Sequence, residues 1–205
     1  MAPRAVLEDK SIDFKKWNNY HPKVVHALDK IEQNFEIAFD AANCLRFGKD
    51  IVMNIGNKNH ELGAYWLQSI LGKEYKVHMV RLTDSHIDGL FMPIAEGVLL
   101  VNDGAMGNKY NLFPGFLKKW KRISVCDNYN NFQYPKNHLQ LSSFRGMDTN
   151  VLPLGHKKVI IRDSATQTIQ KLAEEGFTPI PVRLRHCELF GGGPHCVTLD
   201  TIRQA

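Results

Sequence analysis

The chain has 205 residues, of which 43% are hydrophobic and 23% charged, with a formal net charge of +5. This is enough for one domain, or slightly more, with a core of its own. No apolar run approaches the roughly 20 residues of a membrane span, and the four cysteines (Cys44, Cys126, Cys187, Cys196) are too few and scattered for a disulfide framework.

Reduced thiols in a cytosol-like compartment are therefore expected. The opening "MAPRAVLEDKSIDFKKW" has no apolar stretch of the signal-peptide kind and carries acidic residues early, unlike a transit peptide. Val24, Val25, Leu28, Ile31 and Phe35 then recur at helical spacing. After a turn at Gly48, Ile51 to Ile55 read as a short buried strand. Asn59 is placed to cap a helix that turns Leu62, Trp66, Leu67 and Ile70 inward and ends at Gly72. "YKVHMVRL" alternates like a strand, and Gly97 to Asn102 form an apolar strand of the kind buried on both faces.

From Gly104 to Tyr134 the chain is loop-rich, with a short helix expected in "FPGFLKKW". The basic run Leu117 to Arg122 reads as a solvated helix end; no stacking aromatics or nucleic-acid module accompany it. Two strands are expected around a turn at Gly155 and His156. A helix capped by Ser164 follows, running to Gly176, and a strand from Thr178 to Leu184. The order of elements nearly repeats although the residues do not, which predicts an α/β fold of compact strand-and-helix modules and not one long doubly wound sheet.

Polar residues gather at three places. Asp40, in "AFDAAN", is either a helix N-cap, the commoner use, or a carboxylate held in a pocket. His86 and Asp88, in "TDSHIDGLF", would share a face if the segment is extended; the alternative is an ordinary Asp-Gly turn. "LFGGGPHCVTLD" puts Cys196 behind three glycines, which permit close backbone approach. Cys196 is then a buried small side chain or a nucleophile needing a histidine. His195 is expected to point away from it, as neighbours on a strand do. The glycine run lacks the helix and lysine of a phosphate loop, and His186, Cys187, His195 and Cys196 lack zinc-ligand spacing. No metal or organic cofactor is expected.

In order and separation, "FDAANCLRFGKDI", "DSHIDGLF", "GVLLVND" and "LFGGGPHCVTLD" resemble the C-terminal half of the amidinotransferases, the glycine and inosamine-phosphate group of the pentein superfamily. The resemblance implies a pentein-type α/β propeller built of ββαβ modules, here about three of five, with residues 1–205 forming the C-terminal portion of the domain. It implies Cys196 as the nucleophile toward a guanidino carbon, His86 as general acid and base, Asp40 as its carboxylate partner, Asp88 as a grip on the guanidinium, and Ser142 and Ser143 near the ligand. Two departures accompany it: Ala105 stands where the family places an arginine for the substrate carboxylate, and the loop before His86 is shorter than in glycine amidinotransferase.

The function so implied is transfer of an amidino group from L-arginine, or a similar guanidino donor, to an amine. The alternatives are a guanidino hydrolase and a non-catalytic assembly module. The implied partners are the small-molecule donor and acceptor, and a second copy or second chain supplying the missing modules, with no nucleic acid and no membrane. A cytoplasmic location is expected, or a mitochondrial one if the true N-terminus lies upstream.

Overall fold

A computed structural model describes residues 37–83, 86–126, 147–187 and 191–199. The helix expected around Val24 to Phe35, and Ser142 and Ser143, lie outside these residues. The rest builds three copies of one unit. In the first, β1 (Cys44–Phe47) and β2 (Asp50–Asn54) form an antiparallel hairpin, α1 (Lys58–Leu71) crosses over, and β3 (Lys76–Val80) returns parallel to β2. The second repeats this with β4 (Phe91–Ala95), β5 (Val98–Asn102), α2 (Asp103–Met106) and β6 (Lys121–Val125). The third uses β7 (Leu152–Gly155), β8 (Lys158–Arg162), α3 (Thr166–Glu174) and β9 (Thr178–Val182). Each is a separate three-stranded sheet with the hairpin strands first, so the expected ββαβ modules are present, three in number among the described residues.

Local chemistry explains most of these elements. Asn57, two residues before the expected cap, accepts the His60 backbone N–H at 2.9 Å and opens α1, which Gly72 closes at φ +62°. α1 buries Leu62, Gly63 and Ala64; Ile70, expected inward, is 65% exposed because it lies in the last turn, beyond the buried part of the helix. α3 starts after Ala165 without a side-chain cap, so Ser164 does not serve in that role. The β7–β8 hairpin turns on His156 and Lys157, both at positive φ, as a tight two-residue connection with the twist of its strands requires. The basic run ends a 3-10 turn (Gly115–Lys119) and then enters β6, whose alternation of exposed and buried residues the lysines had hidden.

β1 and β4 escape sequence reading because Arg46 interrupts the apolar run of one and Pro93 sits in the middle of the other. β5 is buried on both faces, with Leu99, Leu100 and Val101 fully inaccessible. It lies at the centre of one continuous core that also takes Phe47 and Phe91 (6.5 Å between ring centroids) and Trp120, 5.2 Å from Phe47. No helix among the described residues is long and apolar enough to cross a membrane.

The modular repeat also places the chemistry. The turn that enters the first strand of each module carries an aspartate: Asp40 before β1, Asp88 before β4 and Asp148 before β7. Their surroundings differ, and with them their uses.

Candidate active site

Asp40 occupies the N-cap position of a 3-10 turn (Ala41–Asn43), yet its carboxylate caps nothing. Oδ1 accepts from Asn43 Nδ2 at 3.3 Å, and Oδ2 lies 3.5 Å from His86 Nε2. Asn54, at the end of β2, builds this pairing from below. Its amide nitrogen donates to Asn43 Oδ1 (3.1 Å) and to the Thr83 carbonyl (3.0 Å), and its oxygen accepts the Leu82 N–H (2.9 Å). The strand end that leads to His86 is thereby fastened to the turn that carries Asp40. Both side chains are about half exposed, so the pair faces outward and is accessible.

His86 and Asp88 do not lie on an extended strand. His86 precedes a 3-10 turn (Ile87–Gly89), and Asp88 sits inside that turn. The turn sends the histidine outward and buries the aspartate completely.

Around Asp88 a second cluster closes. Its Oδ2 is met by Asn150 Nδ2 at 2.9 Å, His195 Nδ1 at 2.9 Å and the Cys196 thiol at 3.4 Å. The loop that carries Cys196 is a run of turns and not a strand, which is why His195 and Cys196 converge on one carboxylate oxygen instead of diverging. The other oxygen, Oδ1, is buried and receives no hydrogen bond from any described residue. A buried carboxylate oxygen without a donor is costly, and the other oxygen of this carboxylate is the one that the thiol meets.

Asn150 was not legible as a site residue. It sits in a polar turn just before β7, and no motif sets it apart from ordinary loop asparagines. Its amide donates to Cys196 Sγ and accepts the Cys196 backbone N–H, each at 3.1 Å. The third glycine of the run makes this possible. A Cβ on Gly193 would lie 2.6 Å from the Asn150 carbonyl oxygen and 2.7 Å from its Oδ1, so only glycine lets the loop approach.

Cys196 is exposed as a residue, but its sulfur turns toward Asn150 and Asp88. Partial burial pushes the thiol up to about 11; the Asp88 charge adds to that rise, and the Asn150 hydrogen bond works against it. Cys196 therefore stands as a neutral thiol at physiological pH. Burial lowers the pKa of His60, in the first turn of α1, with Asp40 opposing and His86 reinforcing the shift. No three His, Cys, Asp or Glu side chains among the described residues cluster as metal ligands would.

Three ββαβ modules, with a thiol and a buried carboxylate where the module-entry turns meet the last loop, define an incomplete pentein-type α/β propeller. Within that class the likeness is to amidinotransferases. The chain is 36% identical over 172 residues to inosamine-phosphate amidinotransferase 1 of Streptomyces glaucescens, covering 83% of this chain and 48% of that protein. It is 32% identical over 173 residues to the L-arginine:L-lysine amidinotransferase of Pseudomonas savastanoi pv. phaseolicola (83% and 46%). The solved structure of an inosamine-phosphate amidinotransferase from Streptomyces griseus superposes with a TM-score of 0.71 at 32% identity, again over 83% of this chain and 48% of that one. No family model matches the chain. The chain is homologous to the amidinotransferases and spans about half the length of the curated relatives it matches.

Proposed function

We propose that this chain carries the nucleophile side of an amidinotransferase site, with L-arginine or a similar guanidino compound as donor and an amine as acceptor. The observation that carries this reading is Asp88 Oδ1, buried, without a donor among the described residues, and part of the carboxylate that the thiol touches. A guanidinium supplies what this place lacks: a planar cation whose N–H groups satisfy a carboxylate while its electrophilic carbon lies against the sulfur.

The cation also resolves the state of the thiol. Part of the rise to about 11 comes from the Asp88 charge. A donor cation on Asp88 offsets that charge and favours the thiolate once substrate is bound, the thiol proton passing to His86. The Cys196 sulfur then forms a bond to the guanidino carbon, and the C–N bond to the departing amine breaks. His86, oriented by Asp40, gives that nitrogen a proton, leaving an amidino-cysteine and, from arginine, ornithine. An acceptor amine attacks the same carbon, His86 takes its proton, and the sulfur leaves as thiolate. Atoms and charge balance without metal or organic cofactor, and Ser142 and Ser143 are proposed near the ligand from the resemblance.

The remaining modules are proposed to come from further polypeptide, whether an N-terminal half of the same protein, a second chain or another copy. The proposed compartment is the cytoplasm, in keeping with cysteines too few and scattered for a disulfide framework. The test is incubation of the complete assembly with arginine and a panel of amines. Ornithine plus an amidinated amine supports transfer; citrulline plus ammonia makes the site a hydrolase. Turnover that survives Cys196→Ala removes both.

A further inference from the structure

Residues 148 to 150 are consecutive, fully buried and polar, and each is tied to a different part of the fold. Asp148 accepts from Arg162 Nε at 3.0 Å, with a second bond from Nη2, and from Thr168 Oγ1 at 3.1 Å, which fixes it to the end of β8 and to α3. Thr149 Oγ1 donates to the Gly89 carbonyl at 2.7 Å, in the turn that holds Asp88. Asn150 bridges Asp88 and both ends of Cys196. The amide cannot be reversed, because its oxygen would then face a carboxylate and a sulfur while its NH2 faced an N–H.

From this arrangement we propose that Asn150 is a further catalytic residue, donating to the Cys196 sulfur as negative charge develops on it, and that Asp148, Arg162 and Thr168 are positioning residues that hold Asn150 there. The role rests on the reading of Cys196 as the nucleophile. An amide suits the task because it supplies a donor without a charge of its own, beside a carboxylate that already opposes the thiolate. The titratable groups facing the thiol end of the network are Asp88 and His195; those facing the 147–150 turn are Asp148 and Arg162.

The experiment is the pH profile of iodoacetamide alkylation of the full chain, read at Cys196 by mass spectrometry, with Cys187 as reference within the chain and a melting curve as a control for folding. Asn150→Ala is expected to slow alkylation at Cys196 about tenfold near pH 9, the effect of a midpoint moved up by about one unit. Asn150→Asp, with the same shape and an added charge, is expected to slow it further. Thr168→Val keeps its shape and lies away from the sulfur, and it is expected to move the profile in the same direction by a smaller factor. Should Asn150→Ala fail to fold, Thr168→Val decides by the same measure.

Profiles that coincide with wild type in folded protein overturn the proposal, as does a shift equal at Cys196 and Cys187. The alkylation needs no donor, so it separates the two readings. A shifted profile in a protein without transferase turnover supports the hold of Asn150 on the sulfur and counts against the transferase reading. An unshifted profile in an active enzyme does the reverse.

Discussion

Asn150 holds Cys196 at two points, its Nδ2 donating to the sulfur and its Oδ1 accepting from the backbone nitrogen, both at 3.1 Å. Forty-six residues separate the two in sequence, and the loop reaches Asn150 because Gly193 has no side chain. The neighbouring glycine is under less pressure: a Cβ on Gly192 would meet the Cys196 Cβ at 3.1 Å, against 2.6 Å to the Asn150 backbone oxygen for Gly193. Gly193→Ala is therefore expected to cost about 1–3 kcal/mol of stability and to displace the thiol, whereas Gly192→Ala costs less. Urea unfolding of the two variants, with Cys196 alkylation alongside, checks the ranking. Equal behaviour would remove the close approach as the reason for the third glycine.

The buried Asp88 carboxylate works on the thiol in two opposed ways. In the resting protein it helps hold the sulfur protonated, so alkylation of Cys196 should climb through the alkaline range toward a midpoint of about 11. A guanidinium on Asp88 cancels part of that effect, and added arginine is expected to lower the midpoint. Asp88→Asn should also lower it, because the charge that opposes the thiolate is gone, and yet abolish turnover for lack of a grip on the donor. A thiol made more reactive in a dead enzyme is an uncommon pair of outcomes. A midpoint unmoved by both arginine and Asp88→Asn would show that Asp88 does not govern the sulfur.

Asp40 and His86 form the outward-facing pair, 3.5 Å apart and about half exposed. A contact so exposed contributes roughly 0–1 kcal/mol to stability, and the role proposed for it is proton transfer. His86→Ala is expected to leave the melting temperature near wild type and to lower turnover of the complete assembly by about 10²–10⁴-fold. Asp40→Asn should give a smaller loss in the same direction. A melting temperature that falls while turnover holds would make the pair structural.

The sequence revealed the modules through the helix that ends at Gly72, capped two residues earlier than expected, the apolar run of β5, and the hairpin after Gly155, which turns on His156 and Lys157. β6 stayed hidden because three of the six residues from Lys118 to Ile123 are lysines, which read as a solvated helix end although the strand buries Ile123 and Val125. Of the candidate site, Asp40, His86, Asp88 and Cys196 are singled out by their motifs and given roles only by the resemblance, while His195, which meets Asp88, is expected to point away. Their geometry was not legible. A histidine beside a cysteine diverges from it on a strand and converges in a turn, and only the fold decides which. Asn150 gave no signal, since an asparagine before a strand is ordinary until its partners are known.

Cys44, the first residue of β1, is the other perturbed thiol. Burial, with the Asp40 charge second, pushes it up to about 12 from an ordinary 9.0. Below about pH 9 this thiol is protonated in the folded and unfolded chains alike, and its contribution to stability is fully present. As pH rises from 9 toward 12 the unfolded chain releases the proton and the native chain does not. Stability then falls by roughly 1.4 kcal/mol per pH unit from this group. Cys196, raised to about 11, adds a slope of the same sign over a narrower window. Urea unfolding under reducing conditions at pH 8, 9.5 and 10.5 should show the wild type losing stability steeply, and Cys44→Ala losing it less steeply from a slightly lower start. Within the wild type, Cys44 should resist alkylation over the range in which Cys126, exposed in the structure, reacts freely. Parallel pH slopes for wild type and Cys44→Ala would mean that the native chain tolerates the Cys44 thiolate, and that the hairpin opens around it.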